Sequence, residues 1–365
     1  MISRLVIRNL LHRPIRTGLS VLAVAVEVAM ILLMVGLSDG LLQESQRRTR
    51  GVGADIMVRP STSSAAMSLG AADIPEKMAE KLVELFPEIQ SAMGVVVSTP
   101  GDLQTITGVE WDRFTVMADG VRFFEGRGLE GEFDAVVDDV YARHRKLSVG
   151  DKVRFLNRDF TLVGIIESGK MSRVFVPIAT MQDVMGWEGS YSQLFLKLHD
   201  PEETRDVIAK VKQALPTYPV YAIEDFLALA AADIQAMAGQ FVNVIIAIAV
   251  AIGFIVVLLS MYTAILERTR EIGILKALGG SKAYIITVVL RESGAVCAMG
   301  ILVGFGIGYL GKAVAESNFP LITILIDPEW LLWSAVIAVV GSTLGALYPA
   351  ARAARQDPID ALAYE

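Results

Sequence analysis

The sequence predicts an α-helical membrane protein with four transmembrane helices and an α+β extracytoplasmic domain. Hydrophobic residues make up 53% of the 365 residues and the mean hydropathy is +0.50, which is too apolar for an ordinary soluble protein. Four apolar runs are each long enough to cross a hydrocarbon core of roughly 30 Å. Between the first two runs lie about 200 residues of mixed composition, which is enough for one or two small domains.

The charge distribution indicates which side of the membrane each part faces. Residues 38–240 carry 21 Lys and Arg against 30 Asp and Glu, a net charge of −9, whereas the remainder carries +2. An acidic domain outside and basic flanks inside are the expected polarity, and so acidic a domain argues against nucleic acid as a partner. The single cysteine, Cys297, lies in an apolar run, and the three histidines form no ligand pattern. The sequence therefore predicts neither an intramolecular disulfide nor a zinc site.

The N-terminal part predicts an interfacial helix followed by a span. Residues 1–16 surround apolar positions with four arginines, which is typical of a cytoplasmic amphipathic helix. Residues 17–37 have the length of one span. A cleaved signal peptide is the alternative, but no A-x-A-like site follows the run. We interpret it as a retained anchor with the N-terminus inside.

Glu27 lies in the middle of this first span, where an ionisable group is costly and should face other helices or water. Arg291 lies at a similar depth in the third span, directly before Glu292. We hypothesise a Glu27–Arg291 pair, within a protomer or across a dimer. The alternative is that Arg291 extends to the interface and Glu27 is protonated.

The extracytoplasmic domain is expected over residues 38–239. Residues 134–146 read as a strand followed by a helix, and residues 148–167 as two strands joined by a turn at Asn157–Asp159. Residues 74–86 predict a helix that begins at Pro75. The pattern indicates an α+β domain with a β-rich subdomain at about 123–185, and no catalytic constellation emerges from it.

The remaining chain predicts three more spans, at 240–266, 283–311 and 330–348, with an alanine-rich stalk leading into the first of them. The connector at 267–282 is rich in Lys and Arg, which places it in the cytoplasm, whereas the loop at 312–329 has few basic residues and is expected outside. The tail at 349–365 returns to the cytoplasm. Near-helical spacing of apolar residues in the connector predicts a short amphipathic helix, and a tight solvated connector is the alternative. Glycines four residues apart predict close helix packing within or between subunits, at Gly300, Gly304, Gly308, Gly341 and Gly345.

The connector also carries a family resemblance. Its sequence E-x-T-R-E-I-G-I-L-K-A-L-G-G-S, given by Glu267 and Thr269–Ser281, resembles the signature of MacB/FtsX/LolC-type ABC transporter permeases. The tail Pro349–Glu365 is similar to the ending of that family, and Leu290, Glu292 and the glycine-rich run after them match its third span. The outer domain resembles the family's porter domain and small β-subdomain. Glu27 is a departure, because the family usually has small or apolar residues there.

The resemblance implies a permease subunit that pairs with a separate cytoplasmic ABC ATPase in the bacterial inner membrane. It further implies a second permease copy, as a homodimer or heterodimer, and a periplasmic or outer-membrane protein as a further partner. This chain would bind no cofactor, since ATP and Mg would act through the ATPase, and it has no G-x-x-x-x-G-K-[ST] motif. We therefore expect a non-catalytic subunit that works by mechanotransmission. The residues expected to couple to the ATPase are Glu267, Arg268, Arg270, Glu271, Gly273, Lys276 and Gly279.

Two other functional classes stay open. The chain could be a regulatory subunit that moves no substrate and relays ATP hydrolysis to an outer protein such as a wall hydrolase. It could also be a membrane-anchored binding protein without an ATPase. Transport predicts ATPase activity stimulated by substrate, the relay predicts stimulation by a protein partner, and the anchor predicts no ATPase association.

Overall fold

The computed structural model describes residues 13–61, 72–99, 105–319 and 321–356. In chain order the described elements are α1 (Pro14–Arg50), β1 (Ile56–Val58), β2 (Ile74–Pro75), α2 (Lys77–Leu85), β3 (Ile89–Ser98), β4 (Ile106–Val109), α3 (Trp111–Met117), β5 (Phe123–Gly126), β6 (Asp134–Asp138), α4 (Asp139–Arg145), β7 (Lys152–Phe155), β8 (Arg158–Ile166), β9 (Val174–Pro177), α5 (Ile178–Met185), β10 (Ser190–Tyr191), β11 (Gln193–Leu198), a 3₁₀ turn (Pro201–Glu203), α6 (Thr204–Ala214), β12 (Val220–Ala222), α7 (Ile223–Glu267), α8 (Thr269–Ala277), α9 (Lys282–Asn318) and α10 (Pro328–Arg355).

The chain forms two compact units, and their boundaries fall inside α1 and α7. The helical unit consists of Met1–Gly40, Ala238–Asn318 and Ile324–Glu365, and the sheet unit consists of Leu41–Met237 and Phe319–Thr323.

Among the described residues, four helices are long and apolar enough to cross a membrane, namely α1, α7, α9 and α10. Each contains one of the four predicted spans and extends beyond it, because a helix satisfies every backbone N–H and C=O internally and need not end at the edge of the lipid. Residues 14–16, which the sequence assigns to a separate N-terminal helix, are instead the first turn of α1. The rest of that predicted helix, residues 1–12, lies outside the described residues.

Small residues bring the helices of the helical unit together. A Cβ at Gly304 would lie 2.8 Å from the Ala25 carbonyl oxygen, and a Cβ at Gly308 would lie 3.3 Å from the Leu32 side chain, so this glycine stripe packs α9 against α1. A Cβ at Gly345 would lie 2.9 Å from the Phe254 carbonyl oxygen, which places that glycine of α10 against α7. The predicted close approach therefore occurs between helices of one chain.

The sheet unit contains a mixed sheet with the strand order β12-β1-β11-β3-β4-β9-β6-β8-β5, with β7 paired to β8. The long strand β3 holds it together, since its first part pairs with β11 and its last part, Val96–Ser98, pairs with β4. The β4/β9 and β6/β8 pairs are parallel, and the other pairs are antiparallel. The predicted β-rich subdomain supplies β5 to β9. It is not a separate sheet, because β9 pairs with β4 and continues the same one.

Local patterns within the sheet unit form largely as predicted. Residues 134–145 are a strand followed by a helix, with the Asp138 carboxylate accepting from the Tyr141 N–H at the helix start. Strands β7 and β8 form the predicted hairpin, but the predicted turn at Asn157–Asp159 is displaced. The turn residues are Leu156 and Asn157, which both have positive φ, whereas Arg158 and Asp159 already pair with β7. The predicted helix start at Pro75 is wrong. Pro75 pairs in β2 with Ser190, and the helix begins at Lys77.

Candidate coupling site

The connector between α7 and α9 folds into the short helix α8, over Thr269–Ala277. Leu278 and two glycines, Gly279 and Gly280, follow the end of this helix. Gly279 has φ +92°, a left-handed conformation that glycine adopts without strain, and the Gly280 N–H donates to the Leu275 carbonyl at 2.9 Å. This cap turns the chain so that α9 begins at Lys282.

Charged residues tie the end of α7 to the start of α1. The Arg13 and Arg16 guanidinium groups each donate to one oxygen of the Glu267 carboxylate, both at 2.8 Å. Glu267 therefore accepts two charge-assisted hydrogen bonds from the start of the chain. Arg13 and Glu267 are 254 residues apart in the sequence. The contact fixes the two helix ends to each other.

A second, buried pair extends this cluster to α9. Arg268 Nη1 lies 3.1 Å and 3.4 Å from the two carboxylate oxygens of Glu292, which is 5% exposed. Arg16 Nη2 lies 3.9 Å from the same carboxylate. A buried carboxylate is tolerated only when it is paired and hydrogen-bonded, and these arginines meet that requirement. We call Arg13, Arg16, Glu267, Arg268 and Glu292 the connector cluster.

Lys276 ties the other end of α8 to the last turn of α10. Its ammonium group donates to the Ala354 carbonyl oxygen at 3.0 Å and to the Gln356 carbonyl oxygen. The last carbonyl groups of a helix have no partner within the helix and carry partial negative charge, so a lysine is well suited to them. Arg352 of α10 also stacks over the Tyr262 ring of α7 at 5.2 Å.

The side of α8 that faces away from the helical unit is exposed. Arg270 and Glu271 are exposed, as are the apolar side chains of Ile274 (46%) and Leu278 (81%). The seven residues predicted to couple therefore separate into two groups. Glu267, Arg268 and Lys276 bind neighbouring helices and Gly273 is buried, whereas Arg270, Glu271 and Gly279 face outward.

A small pocket lies between α8, the end of α7 and the start of α9, and the exposed residue Glu271 stands at its edge. Apolar residues of these three helices line most of it, and the charged groups at its wall are Arg268, Glu271 and Glu292. Two of these belong to the connector cluster, so the pocket is part of the same site.

Glu27 lies in the core of the helical unit, away from the connector. It is 4% exposed, and its Oε1 has no hydrogen-bond partner among the described residues. Its carboxylate occupies the space beside Gly253 of α7, and a Cβ at Gly341 of α10 would lie 3.9 Å from it. The polar group thus faces other helices, as predicted.

The hypothesised Glu27–Arg291 pair is absent within this chain. Arg291 is exposed, whereas its neighbour Glu292 is buried, because consecutive residues on a helix point about 100° apart. Glu292 faces the bundle and binds Arg268, so Arg291 must point away from it. Pairing across a dimer stays a prediction. Arg13 and Arg16 were not predicted from the sequence as partners of Glu267. The signal available in the sequence was the opposite charge at the ends of the first two spans.

Together these observations define a four-span membrane protein with an added sheet unit and a charged connector helix between its second and third spans. Family models match in both parts of the chain: the MacB-like periplasmic core domain over residues 17–214 and the FtsX-like permease C-terminal domain over residues 243–358. The chain belongs to the MacB/FtsX-type family of ABC transporter permeases.

Individual relatives agree with this assignment. An uncharacterized ABC transporter permease, YknZ of Bacillus subtilis (strain 168), is 25% identical over 99% of this chain and 98% of its own length. The macrolide export ATP-binding/permease protein MacB of Photorhabdus laumondii is 24% identical over 98% of this chain but only 60% of its own length. Among solved structures, the periplasmic region of MacB from Actinobacillus actinomycetemcomitans matches 48% of this chain and 92% of its own, with 15% identity and a TM-score of 0.37.

Proposed function

We propose that this chain couples ATP hydrolysis by a separate cytoplasmic ABC ATPase to motion of its sheet unit. In this proposal the chain binds no nucleotide itself, and ATP and Mg act through the ATPase. The sheet unit faces the outside, and both termini and α8 face the cytoplasm. The work is mechanotransmission in support of export or extrusion.

The two-sided character of α8 is the observation that carries the proposal. Its buried side is tied to α10 through Lys276, and the residues at its start, Glu267 and Arg268, bind the beginning of α1 and the body of α9. Its exposed side offers Arg270, Glu271, Ile274 and Leu278. A push on the exposed side would therefore reach all four spans rather than bend one loop.

The distribution of basic residues supports a cytoplasmic position for α8. The ends of the spans on this side of the helical unit carry many lysines and arginines, and this enrichment is typical of cytoplasmic loops. They are Arg13, Arg16, Arg268, Arg270, Lys276, Lys282, Arg352 and Arg355.

Family membership supports the remaining partners. A second permease copy would complete the transporter, and a periplasmic or outer-membrane protein would receive the motion of the sheet unit. The names of the MacB relatives refer to macrolide export, which favours export over a purely regulatory relay. Substrate-stimulated ATPase activity in the reconstituted complex would distinguish export from stimulation by an outer protein.

The exposed side of α8 is tested by exchanging its charges. We expect Arg270→Glu with Glu271→Arg, made in the full chain, to lose the co-purifying ATPase in mild detergent, because both charges are exposed and the swap reverses their order. The matched control exchanges an exposed ion pair of the sheet unit, Arg158→Asp with Asp183→Arg, whose groups lie 3.1 Å apart. This control should retain the ATPase.

A second comparison tests the apolar part of the same surface. Leu278→Asp should weaken ATPase association at least tenfold, whereas Leu85→Asp, at a position 61% exposed in the sheet unit, should leave it unchanged. Retention of the ATPase by both α8 variants would exclude α8 as the contact. Absence of any ATPase with the unaltered chain would favour the anchored binding protein.

A further inference from the structure

The sheet unit contains a second group of charged residues that the proposed function does not use. It joins the C-terminal part of α1 to the ends of β6 and β9, and we call it the sheet cluster. Asp138 is 1% exposed and Arg173 is 8% exposed, so the central charges are buried. Its members are Glu44, Arg48, Asp138, Asp139 and Arg173.

Arg173 holds together three parts of the chain. Its Nη2 donates to the Leu321 carbonyl oxygen at 3.1 Å and lies 3.7 Å from Glu44 Oε1. Leu321 belongs to the segment that joins α9 to α10, and Glu44 belongs to α1. Both contacts of Nη2 are thus with segments that continue directly into predicted spans.

The other half of the guanidinium faces Asp138 without bonding to it. Arg173 Nη1 and Asp138 Oδ2 lie 4.0 Å apart, whereas a charge-assisted hydrogen bond is about 2.7–2.9 Å long. Neither atom has a hydrogen-bond partner among the described residues. Two buried, opposite charges that face each other unbonded are costly, and a movement of about 1 Å would join them.

The backbone around these two residues is already fixed. The Asp138 N–H donates to the Arg173 carbonyl oxygen at 2.9 Å, and Val137 pairs with Val174 across β6 and β9. Asp138 Oδ1 is held by the Tyr141 N–H at 2.6 Å. Burial raises the pKa of Asp138 to about 6, and the charge of Arg173 limits that rise. Only the Arg173 side chain therefore needs to move to complete the pair.

We infer that Arg173 exchanges partners during the transport cycle, between the Leu321 carbonyl and Glu44 in one state and the Asp138 carboxylate in another. The inference rests on the proposed function, because the displacement of α1 and of the α9–α10 segment would come from the ATPase. In the state described here Arg173 is bound to those segments. When they withdraw, the guanidinium closes on Asp138 and adds a side-chain bond between the end of β6 and the start of β9.

Hydrogen–deuterium exchange on the complete complex in nanodiscs tests this exchange of partners. Peptides covering residues 134–141 and 171–177 are compared between the nucleotide-free complex and one trapped with ATP and vanadate. In the unaltered chain we expect trapping to change exchange in both peptides at least threefold. Asp138→Asn, which keeps an oxygen for the Tyr141 N–H but removes the charge, should abolish that difference.

The matched control is Asp183→Asn, which removes an exposed carboxylate from the same unit and should leave the difference intact. Arg173→Lys keeps the positive charge but lacks the planar guanidinium group, whose two outer nitrogens face Asp138 on one side and Leu321 and Glu44 on the other. It should therefore reduce the difference in deuterium exchange without loss of folded protein. An undiminished difference in Asp138→Asn overturns the inference. So does an unaltered complex that hydrolyses ATP but shows no difference in either peptide. Failure of the chain to associate with an ATPase would instead refute the proposed function, and with it the source of the motion.

Discussion

The connector cluster and the sheet cluster contain the same residue types, yet their hydrogen bonding differs. In the connector cluster both oxygens of the buried Glu292 lie within 3.4 Å of one arginine, and Glu267 accepts from two more. In the sheet cluster the buried Asp138 has one oxygen 4.0 Å from the nearest arginine nitrogen. The carboxylates of the connector cluster are hydrogen-bonded to arginines, whereas the sheet cluster contains a buried arginine and aspartate that face each other without a hydrogen bond.

This difference suggests a division of labour. A satisfied buried ion pair fixes the elements that carry it, because breaking it leaves an uncompensated charge. A partly satisfied pair leaves buried polar atoms without hydrogen bonds, so a small displacement that completes the bond is favourable. A satisfied ion pair therefore suits helix ends that must move together, as in the connector cluster. A partly satisfied pair suits a junction that must change when neighbouring segments move, as in the sheet cluster.

The largest expected effect on stability comes from removing the buried carboxylate of the connector cluster. Glu292→Gln leaves Arg268 without its buried counter-charge and should destabilise the full chain by about 3 kcal/mol, seen as a lower thermal unfolding midpoint in detergent. Glu316→Gln is the matched control on the same helix. Its partner Lys312 is 3.8 Å away and the pair is about one-third exposed, so the loss should stay below about 1 kcal/mol. Equal losses for the two variants would show that the connector cluster is not specially stabilising.

A second prediction compares two aspartates at opposite ends of β6 by their pH dependence. Burial raises the pKa of Asp138 to about 6, above its usual 3.8. The folded chain therefore binds this proton more tightly than the unfolded chain, and its contribution to stability increases as pH falls from about 6 to 4, by roughly 2–3 kcal/mol. Asp138→Asn should remove that increase in unfolding measurements between pH 7 and pH 4. The charged groups that act on Asp138 are Arg173, Arg48 and Asp139, and Glu44 pairs with Arg173.

Asp134 should behave in the opposite way. Burial alone would raise its pKa, but the Gly131 N–H, the Arg127 guanidinium and the Glu130 N–H hold the pKa below its usual value. Its stabilisation is present above about pH 4 and is lost as pH falls through the lowered pKa. Asp134→Asn should therefore destabilise the chain at pH 7 and flatten the acid limb. The same slope for both variants would contradict the comparison.

The smallest effect is expected at the exposed edge of the connector cluster. The Arg13 side chain is 56% exposed and pairs with Glu267, so Arg13→Gln should cost less than about 0.5 kcal/mol. Arg16 is 17% exposed and lies near both Glu267 and Glu292, so Arg16→Gln should cost about 1–2 kcal/mol. The thermal unfolding midpoints of the two variants, measured side by side, test whether the buried arginine contributes more than the exposed one. A larger loss for Arg13→Gln would show that burial does not rank these contacts.

The candidate site was only partly predictable from the sequence. The spacing of apolar residues in the connector predicted a short helix, with a tight solvated connector as the alternative, and the structure contains the helix. The roles of its charges were not predictable, because Glu267 and Glu271 lie one helical turn apart and look equivalent in the sequence. Arg13 and Arg16 bind the first and leave the second exposed. Likewise, adjacency of Arg291 and Glu292 gave no indication of which one faces the bundle.

By itself the sequence determined the four spans and the strand–helix and hairpin units, because hydropathy and turn residues act over a few neighbouring positions. It left two alternatives for the connector, and the structure decided in favour of the short helix. The tertiary structure decided which charges are buried and with which partners. Arg13 meets Glu267 across 254 residues, and Arg173 meets Leu321 across 148. Such pairings depend on how helices and strands pack, and the burial that makes them strong exists only once the chain has folded.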